Sequence, residues 1–366
     1  MTTSVPTAAS PATLWYTRCP VPTAFSVAIH EGFLAREFAS DGIELKSLQA
    51  ATTRKDAESH FSHTLEDSFR YGGNIPPLWA RSEGADTRLI GASWIDSPHV
   101  ILALPDSGIR TVADLEGKRL SVLRRTNDLI DFWRAGTLRT YEAALATAGL
   151  TLDDVELVDL PVEQSFIATD APRASSGSLF NPARVNAGAQ RDISALVNGE
   201  VDAIFSESFF ATRLVDFLGA HVVHDVSQQS PAIVRHNNAI PQVFTVSGRL
   251  AEQRPDLVAR VLIATQDAAE WARTHREETL RIAGLEGGAS VSVIDRTYPR
   301  LEQQLHTDLS ADKLAALAKR KQFLLAHGFL RADFPLAQWV DGRPLRLAEE
   351  WRAERAELAT GRARSA

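Results

Sequence analysis

Short runs of β-branched and aromatic residues alternate with helix-periodic segments along most of this chain, and that alternation narrows the fold more than any other feature. TLWY at 13–16, GIELKSLQA at 42–50, TRLIGASW at 87–94 and HVILALP at 99–105 read as strands. Between the first two, Ala24 to Ala39 carries apolar residues at Ala24, Ala28, Ile29, Phe33 and Leu34, the spacing of one helical face. Strands interleaved with helices build a parallel or mixed sheet, so the class is α/β. At 366 residues the chain exceeds what one core ordinarily fills, and two lobes are expected.

The second lobe is expected to begin at Thr111. There TVADLEGKRLSVL reads as a helical turn, a break at Gly117 and a strand. A helix from Leu138 to Ala148, a strand VELVDL at 155–160, the helix–turn–strand DISALVNGEVDAIFSE at 192–207 and a strand AHVVHDV at 220–226 complete it. QVFTVS then returns to a strand, and Pro255 opens an amphipathic helix on Leu257, Val258, Val261, Leu262 and Ala264. From Ser310 onward the pattern is helical, with Leu314, Leu317, Phe323 and Leu324 as core positions. Lobe 1 is therefore assigned to 13–110 and 241–366, lobe 2 to 111–240, and residues 1–12 to a disordered lead-in. The Pro/Ser/Ala/Gly-rich residues 161–188 lack periodicity and read as a long loop or lid.

Charge excludes some partners. Net charge is −7 with both signs interspersed, and no basic patch offers a footprint for nucleic acid. The N-terminus has neither a basic region nor an apolar core, and no run of eighteen apolar residues occurs, so a soluble cytoplasmic protein without a membrane span is expected. A single cysteine rules out an internal disulfide and any cysteine-paired zinc or iron–sulfur site.

That cysteine, Cys19, falls between the end of the TLWY strand and a Pro20-Val21-Pro22 turn that leads into a helix. In α/β sheets ligands bind beyond the carboxyl ends of strands, and a helix start favours a thiolate. Elsewhere a lone cysteine is ordinarily a small buried hydrophobe. Downstream, SHFSHTLEDSFRYGGNIPPL at 59–78 gathers His60, Arg70 and the pair Gly72-Gly73. An acid/base, an anion clamp and free backbone amides in one segment suit a small anionic substrate. Without such context an arginine before two glycines is a solvated charge.

His63 lies on the same helical face as His60, either as a supporting partner or merely as a neighbour. Phe61, Trp79, Trp133 and Phe180 are candidates to clasp an aromatic group, though single aromatics are usually core. His221, His224 and His236 lack the carboxylate spacing of a metal site. Serine-hydrolase, zinc-protease, P-loop and dinucleotide motifs are missing, and no cofactor is expected.

ADLEGKRLSV, ALVNGEVDAIFSE and SGRLAEQRPDLVARVLIATQDAAEWARTH resemble the type II periplasmic binding fold, in its nitrate, sulfonate and taurine-binding branch, over most of residues 13–285. Within that fold, CPVPTA at Cys19–Ala24, His60-Phe61, RYGGNIPPL at Arg70–Leu78, DDVELV at Asp153–Val158 and RPDLVARV at Arg254–Val261 resemble the 2'-hydroxybiphenyl-2-sulfinate desulfinase family. The resemblance implies two α/β lobes with a ligand cleft between them. It also implies an active site of Cys19, His60 and Arg70; Gly72, Gly73, Phe61, His63 and Trp133 are the residues expected around the substrate from their own chemistry. Where the family has a tyrosine and a glutamine after His-Phe, this chain has His63 and Leu65, and the stretch from Arg124 to Leu150 is shorter.

The implied activity is hydrolysis of an aryl carbon–sulfur bond to a phenolic biaryl and sulfite by a monomer. Cys19 would act either as proton donor to the ring carbon or as nucleophile at sulfur. Two other readings are a non-catalytic anion-binding protein and the pyrimidine-precursor synthase branch of the same fold. The latter expects a cysteine-rich motif that one cysteine does not supply.

Overall fold

A computed structural model describes residues 11–48, 51–167 and 182–363. Its first sheet has the order β2-β1-β3-β10-β4, formed by β1 (Thr13–Arg18), β2 (Glu44–Ser47), β3 (Ser68–Gly72), β4 (Thr87–Ser93) and β10 (Gln242–Ser247). β1 runs parallel to β2 and β3, whereas β10 is antiparallel to both β3 and β4. The second sheet region holds β5 (His99–Ala103), flanked antiparallel by β8 (Ile204–Glu207) and β9 (His221–Asp225). A parallel pair of β6 (Arg119–Arg125) and β7 (Glu156–Val162) joins it through a bridge from Leu120 to Ala203. The chain passes from first sheet to second between β4 and β5 and returns between β9 and β10. This is a two-lobed periplasmic-binding-protein-like α/β fold with its cleft between the sheets.

Several boundaries differ from expectation. The expected single helix 24–39 is two, α1 (Ala24–His30) and α2 (Phe33–Glu37), because Gly32 adopts φ 73° and breaks the run. Next come α3 (Arg54–Ser62), α4 (Ile75–Ser82) and α5 (Phe132–Leu145), the last beginning earlier than the expected Leu138 with Asp131 as its cap. Pro76 and Pro77 begin α4 rather than ending a loop, since proline costs nothing in a first helical turn. β5 belongs to the second sheet, so the change of sheet precedes the boundary expected at Thr111. The expected loop 161–188 is shortened at both ends, by β7 through Val162 and by α6 (Pro182–Val197). Its centre, like Phe180 and residues 1–10 of the lead-in, lies outside the described residues.

On the first sheet, Leu14, Phe69, Phe244 and Val246 pack against helices rich in buried apolar residues. Chief among these is α9 (Pro255–Ala272, after α7 at Ser208–Leu218 and α8 at Gly248–Gln253), which buries Leu257, Val258, Val261 and Leu262. Each such fully buried aliphatic side chain stabilises the fold by roughly 1.5–3 kcal/mol. α10 (Arg276–Gly287) brings Glu286 under the end of β1. There Arg18 donates from Nε and Nη2 at 2.8 and 2.7 Å, and His30 Nε2 lies 2.6 Å from the same carboxylate. Burial works against the Glu286 charge, but His30 and Arg18 outweigh it and hold the carboxyl below its ordinary range. A forked, buried ion pair thus fixes the residue next to Cys19.

Candidate active site

Cys19 follows the last residue of β1, at the carboxyl edge of the parallel strands, and its amide donates to Tyr71 O at 3.0 Å. That bond extends the β1–β3 ladder by one rung and directs the side chain over Gly72. Gly72 has φ 155°, and a Cβ there would sit 2.3 Å from Cys19 Sγ. Only glycine leaves room for the thiol.

His60 comes from the last turn of α3, a helix opened by the Thr53 side chain, which accepts from Asp56 N. Its ring is fully buried between two partners: Nδ1 is 2.8 Å from Thr17 Oγ1, and Nε2 is 3.5 Å from Cys19 Sγ. Burial first, then the Arg70 guanidinium and the neighbouring His63, push the imidazole well below its ordinary pKa, so it is neutral at physiological pH. A neutral ring against a thiol can accept its proton or return it.

Arg70, in the middle of β3, completes the group. Its Nε donates to His60 O at 2.8 Å, Nη1 to Gly73 O at 2.7 Å and Nη2 to Cys19 Sγ at 3.3 Å. The guanidinium is thus aimed by two carbonyls and has one N–H left on each terminal nitrogen, the geometry of a fork for paired anionic oxygens. Burial lowers its proton affinity, and the Cys19 sulfur acts in the opposite sense.

All three groups line a cleft of about 670 Å³, part of which is open to solvent. A broader depression bordered by Arg139, Glu142 and Gln229 contains none of them. From the first sheet side come Cys19, His60, Phe61, Arg70, Gly73 and Pro76; from the second come Phe132, Trp133, Phe166 and the run Glu207–Phe210; Asn238 and Ala239 lie on the return crossing. The apolar wall is a stack. Phe61 stands edge-on to His60 with centroids 5.0 Å apart and stacks on Phe132 at 6.0 Å, Phe132 stacks on Phe166 at 4.9 Å, and Arg125 lies 3.6 Å over the Phe166 ring.

Of the residues expected around a substrate, Phe61, Gly73 and Trp133 line the cleft and His63, Gly72 and Trp79 do not. His63 is the left-handed cap of α3 at φ 54°. There its Nδ1 lies 3.0 Å from Phe61 O and its Nε2 3.3 Å from Thr245 Oγ1. Gly72 acts by yielding space; it sits within β3 opposite Val243 of β10, not in a loop. Trp79, within α4, packs against the hydrophobic core. His221, His224 and His236 take separate partners, respectively Arg110 O, Gln229 and Arg139. Sequence reasoning missed Thr17, Phe132, Phe166, Glu207, Phe209, Phe210 and Asn238. Phe209-Phe210 directly after a strand end was the available signal; Phe166 and Asn238 left none.

Residues 20–175 match the family model described as NMT1/THI5 like. The chain is 31% identical over 355 residues to the 2'-hydroxybiphenyl-2-sulfinate desulfinase of Rhodococcus erythropolis, covering 90% of this chain and 91% of that one, with the same figures for the Rhodococcus qingshengii protein. A crystal structure of the desulfurization enzyme DszB, as a cysteine-to-serine mutant in complex with biphenyl-2-sulfinic acid, superimposes with a TM-score of 0.74 at 28% identity, over 92% of this chain and 99% of that one. The periplasmic aliphatic sulphonate binding protein SsuA from Escherichia coli shares the fold, with a TM-score of 0.64 at 18% identity over 91% of this chain and 92% of that one. With the identity extending over nine-tenths of its length, this chain belongs to the 2'-hydroxybiphenyl-2-sulfinate desulfinase family.

Proposed function

We propose that this protein is a cofactor-free desulfinase that hydrolyses the aryl carbon–sulfur bond of a biaryl sulfinate such as 2'-hydroxybiphenyl-2-sulfinate. The observation that carries the reading is the contact of Cys19 Sγ with both His60 Nε2 and Arg70 Nη2, at 3.5 and 3.3 Å, in a cleft that Phe61, Phe132, Trp133, Phe166, Phe209 and Phe210 also line. A sulfinate is anionic at neutral pH. Arg70 holds its two oxygens while the rings take the biaryl.

The overall change is ArSO2⁻ + H2O → ArH + HSO3⁻. In the route we favour, the Cys19 thiol gives its proton to the ring carbon bearing sulfur. The C–S electron pair then restores the ring's aromaticity, and sulfur leaves as SO2. Arg70 stabilises the thiolate so formed. Hydration of SO2 to bisulfite releases the proton that returns to Cys19, with neutral His60 as carrier. In the alternative route a Cys19 thiolate attacks sulfur to give a covalent intermediate that water hydrolyses. Ring protonation fits the substrate better, because a second aryl group does nothing to make sulfinate sulfur electrophilic.

We further propose that the protein works as a monomer and in the cytoplasm, and that it consists of lobe 1 over 13–110 and 241–366 and lobe 2 over 111–240, modified by the transfer of β5 to the second sheet. Among the described residues no helix is long and apolar enough to cross a membrane. The test is to mix purified protein with 2'-hydroxybiphenyl-2-sulfinate and quantify sulfite and 2-hydroxybiphenyl. Equimolar release supports the reading, whereas tight binding with no release identifies a non-catalytic anion-binding protein of the same fold.

A further inference from the structure

Among the described residues the cleft contains one acid that neither the Cys19 group nor the ring stack accounts for. Glu207 ends β8, where the antiparallel register sets it directly opposite His99 of β5. Opposed residues of this kind bring their side chains into contact on one face of the sheet. His99 Nε2 lies 3.1 Å from Glu207 Oε2, with side-chain exposures of 1% and 13%.

Protonation of the pair follows from its surroundings. His99 Nδ1 is 3.0 Å from Ser97 O, and a carbonyl only accepts, so Nδ1 carries a hydrogen. Nε2 then faces Oε2, and a second N–H there makes the ring a cation set against the carboxylate. In that form the pair has no net charge. Burial alone would drive the His99 ring neutral, but the Glu207 carboxylate outweighs burial and raises the ring's proton affinity above its ordinary value. Such a pair does not oppose an anion held on Arg70, as an isolated carboxylate in the same cleft would. The Nε2–Oε2 contact lies off the line of a full hydrogen bond, so these two buried atoms hold each other by charge rather than by a formed hydrogen bond. Glu207 lines the cleft, and a carboxylate carries a second acceptor oxygen, Oε1, besides the one that faces His99, so it can still accept from a donor there.

We propose that the His99–Glu207 pair is a specificity site that accepts a hydrogen bond from a hydroxyl on the ring remote from the sulfur-bearing carbon, while Arg70 holds the sulfinate. This deepens the desulfinase reading and rests on it. Arg70 reaches the cleft from the first sheet and Glu207 from the second, so a biaryl carrying both groups engages both lobes. His99 is a positioning residue, keeping the carboxylate in place and its charge balanced. A polar site built for a hydroxyl rejects the analogue that lacks it more strongly than an apolar pocket rejects a change of shape.

The experiment compares kcat/KM for 2'-hydroxybiphenyl-2-sulfinate and biphenyl-2-sulfinate in the wild type, Glu207→Gln, Glu207→Leu and His99→Gln. The ratio of the two substrates within one preparation is independent of the fraction correctly folded. The wild type is expected to prefer the hydroxylated substrate by at least about tenfold, Glu207→Leu to bring the ratio near unity through KM for that substrate, and the other two variants to fall between. A wild-type ratio near unity, or an unchanged ratio in Glu207→Leu, overturns the proposal. If the wild type releases sulfite from neither substrate, the desulfinase reading fails, and equilibrium affinities for the same two sulfinates decide the specificity proposal by the same criterion.

Discussion

On the wall contributed by the first sheet, a thiol, an imidazole and a guanidinium are held by hydrogen bonds to each other and to backbone carbonyls; on the facing wall, Phe132, Phe166 and their neighbours are held by stacking. Hydrogen bonds are directional, and a displacement of a few tenths of an ångström weakens them. Stacked rings tolerate shifts and volume-conserving exchange. The difference teaches where to look for each kind of defect. Damage to the polar wall should fall on kcat or on anion affinity, and damage to the ring wall on KM for the biaryl.

The contrast is broken most severely at Cys19. Cys19→Ser should lower kcat on the order of 10³-fold while the dissociation constant for substrate stays within a few-fold, as read by single-turnover kinetics and equilibrium binding. Full activity in this variant would rule out both chemical routes. Gly72→Ala tests the polar wall without removing a functional group. Its Cβ would fall 2.3 Å from Sγ at a φ that L residues avoid, so the thiol must move, and about a 10²-fold loss of kcat with little change in KM is expected. A wild-type rate would show that the thiol's placement is not what matters.

Arg70→Ala should weaken sulfinate binding by at least about 2 kcal/mol, measurable by calorimetry, and Arg70→Lys should not restore it, because an ammonium offers no planar fork. Acid titrates imidazoles on the polar wall and elsewhere in the fold but not the rings. His60 and the buried His236, the latter driven to about 2 by burial and then by Arg139, have folded pKa values below the unfolded value of about 6.5. In that window the unfolded chain binds more protons than the folded one, so the stabilising contribution is present above pH 6.5 and is lost as pH falls below it. For His236 the loss is up to about 1.4 kcal/mol per pH unit. Urea denaturation at pH 7 and pH 5 measures the slope, which should be shallower in His236→Asn. The smallest effect is expected on the ring wall, where Phe166→Leu should raise KM for a biaryl sulfinate by about 0.5–1.5 kcal/mol and leave kcat nearly unchanged. A fall in kcat there instead would mean that the stack positions His60 through Phe61 and Phe132.

Legibility in the sequence follows the same division. Cys19 at a strand end, the string His60 to Gly73 and the alternation of strand and helix are local, short-range patterns, and the structure brings Cys19, His60 and Arg70 together as those patterns implied. Boundaries were less legible where one residue decides them, as Gly32 does in splitting the first helix and His63 in ending α3. The role of Gly72 was misread for a related reason. A glycine pair advertises free amides and close packing equally, and only the neighbouring sulfur shows which applies.

By itself the sequence determined the α/β class and named the residue types of the candidate site, because periodicity, turn chemistry and composition act over a few residues. Tertiary structure alone decided which aromatics line the cleft, that β5 pairs with β8 and so opposes His99 to Glu207, and that α10 brings Glu286 to Arg18 beside the thiol. Those contacts join residues far apart in the chain, and they are selected by sheet register and packing rather than by any local preference.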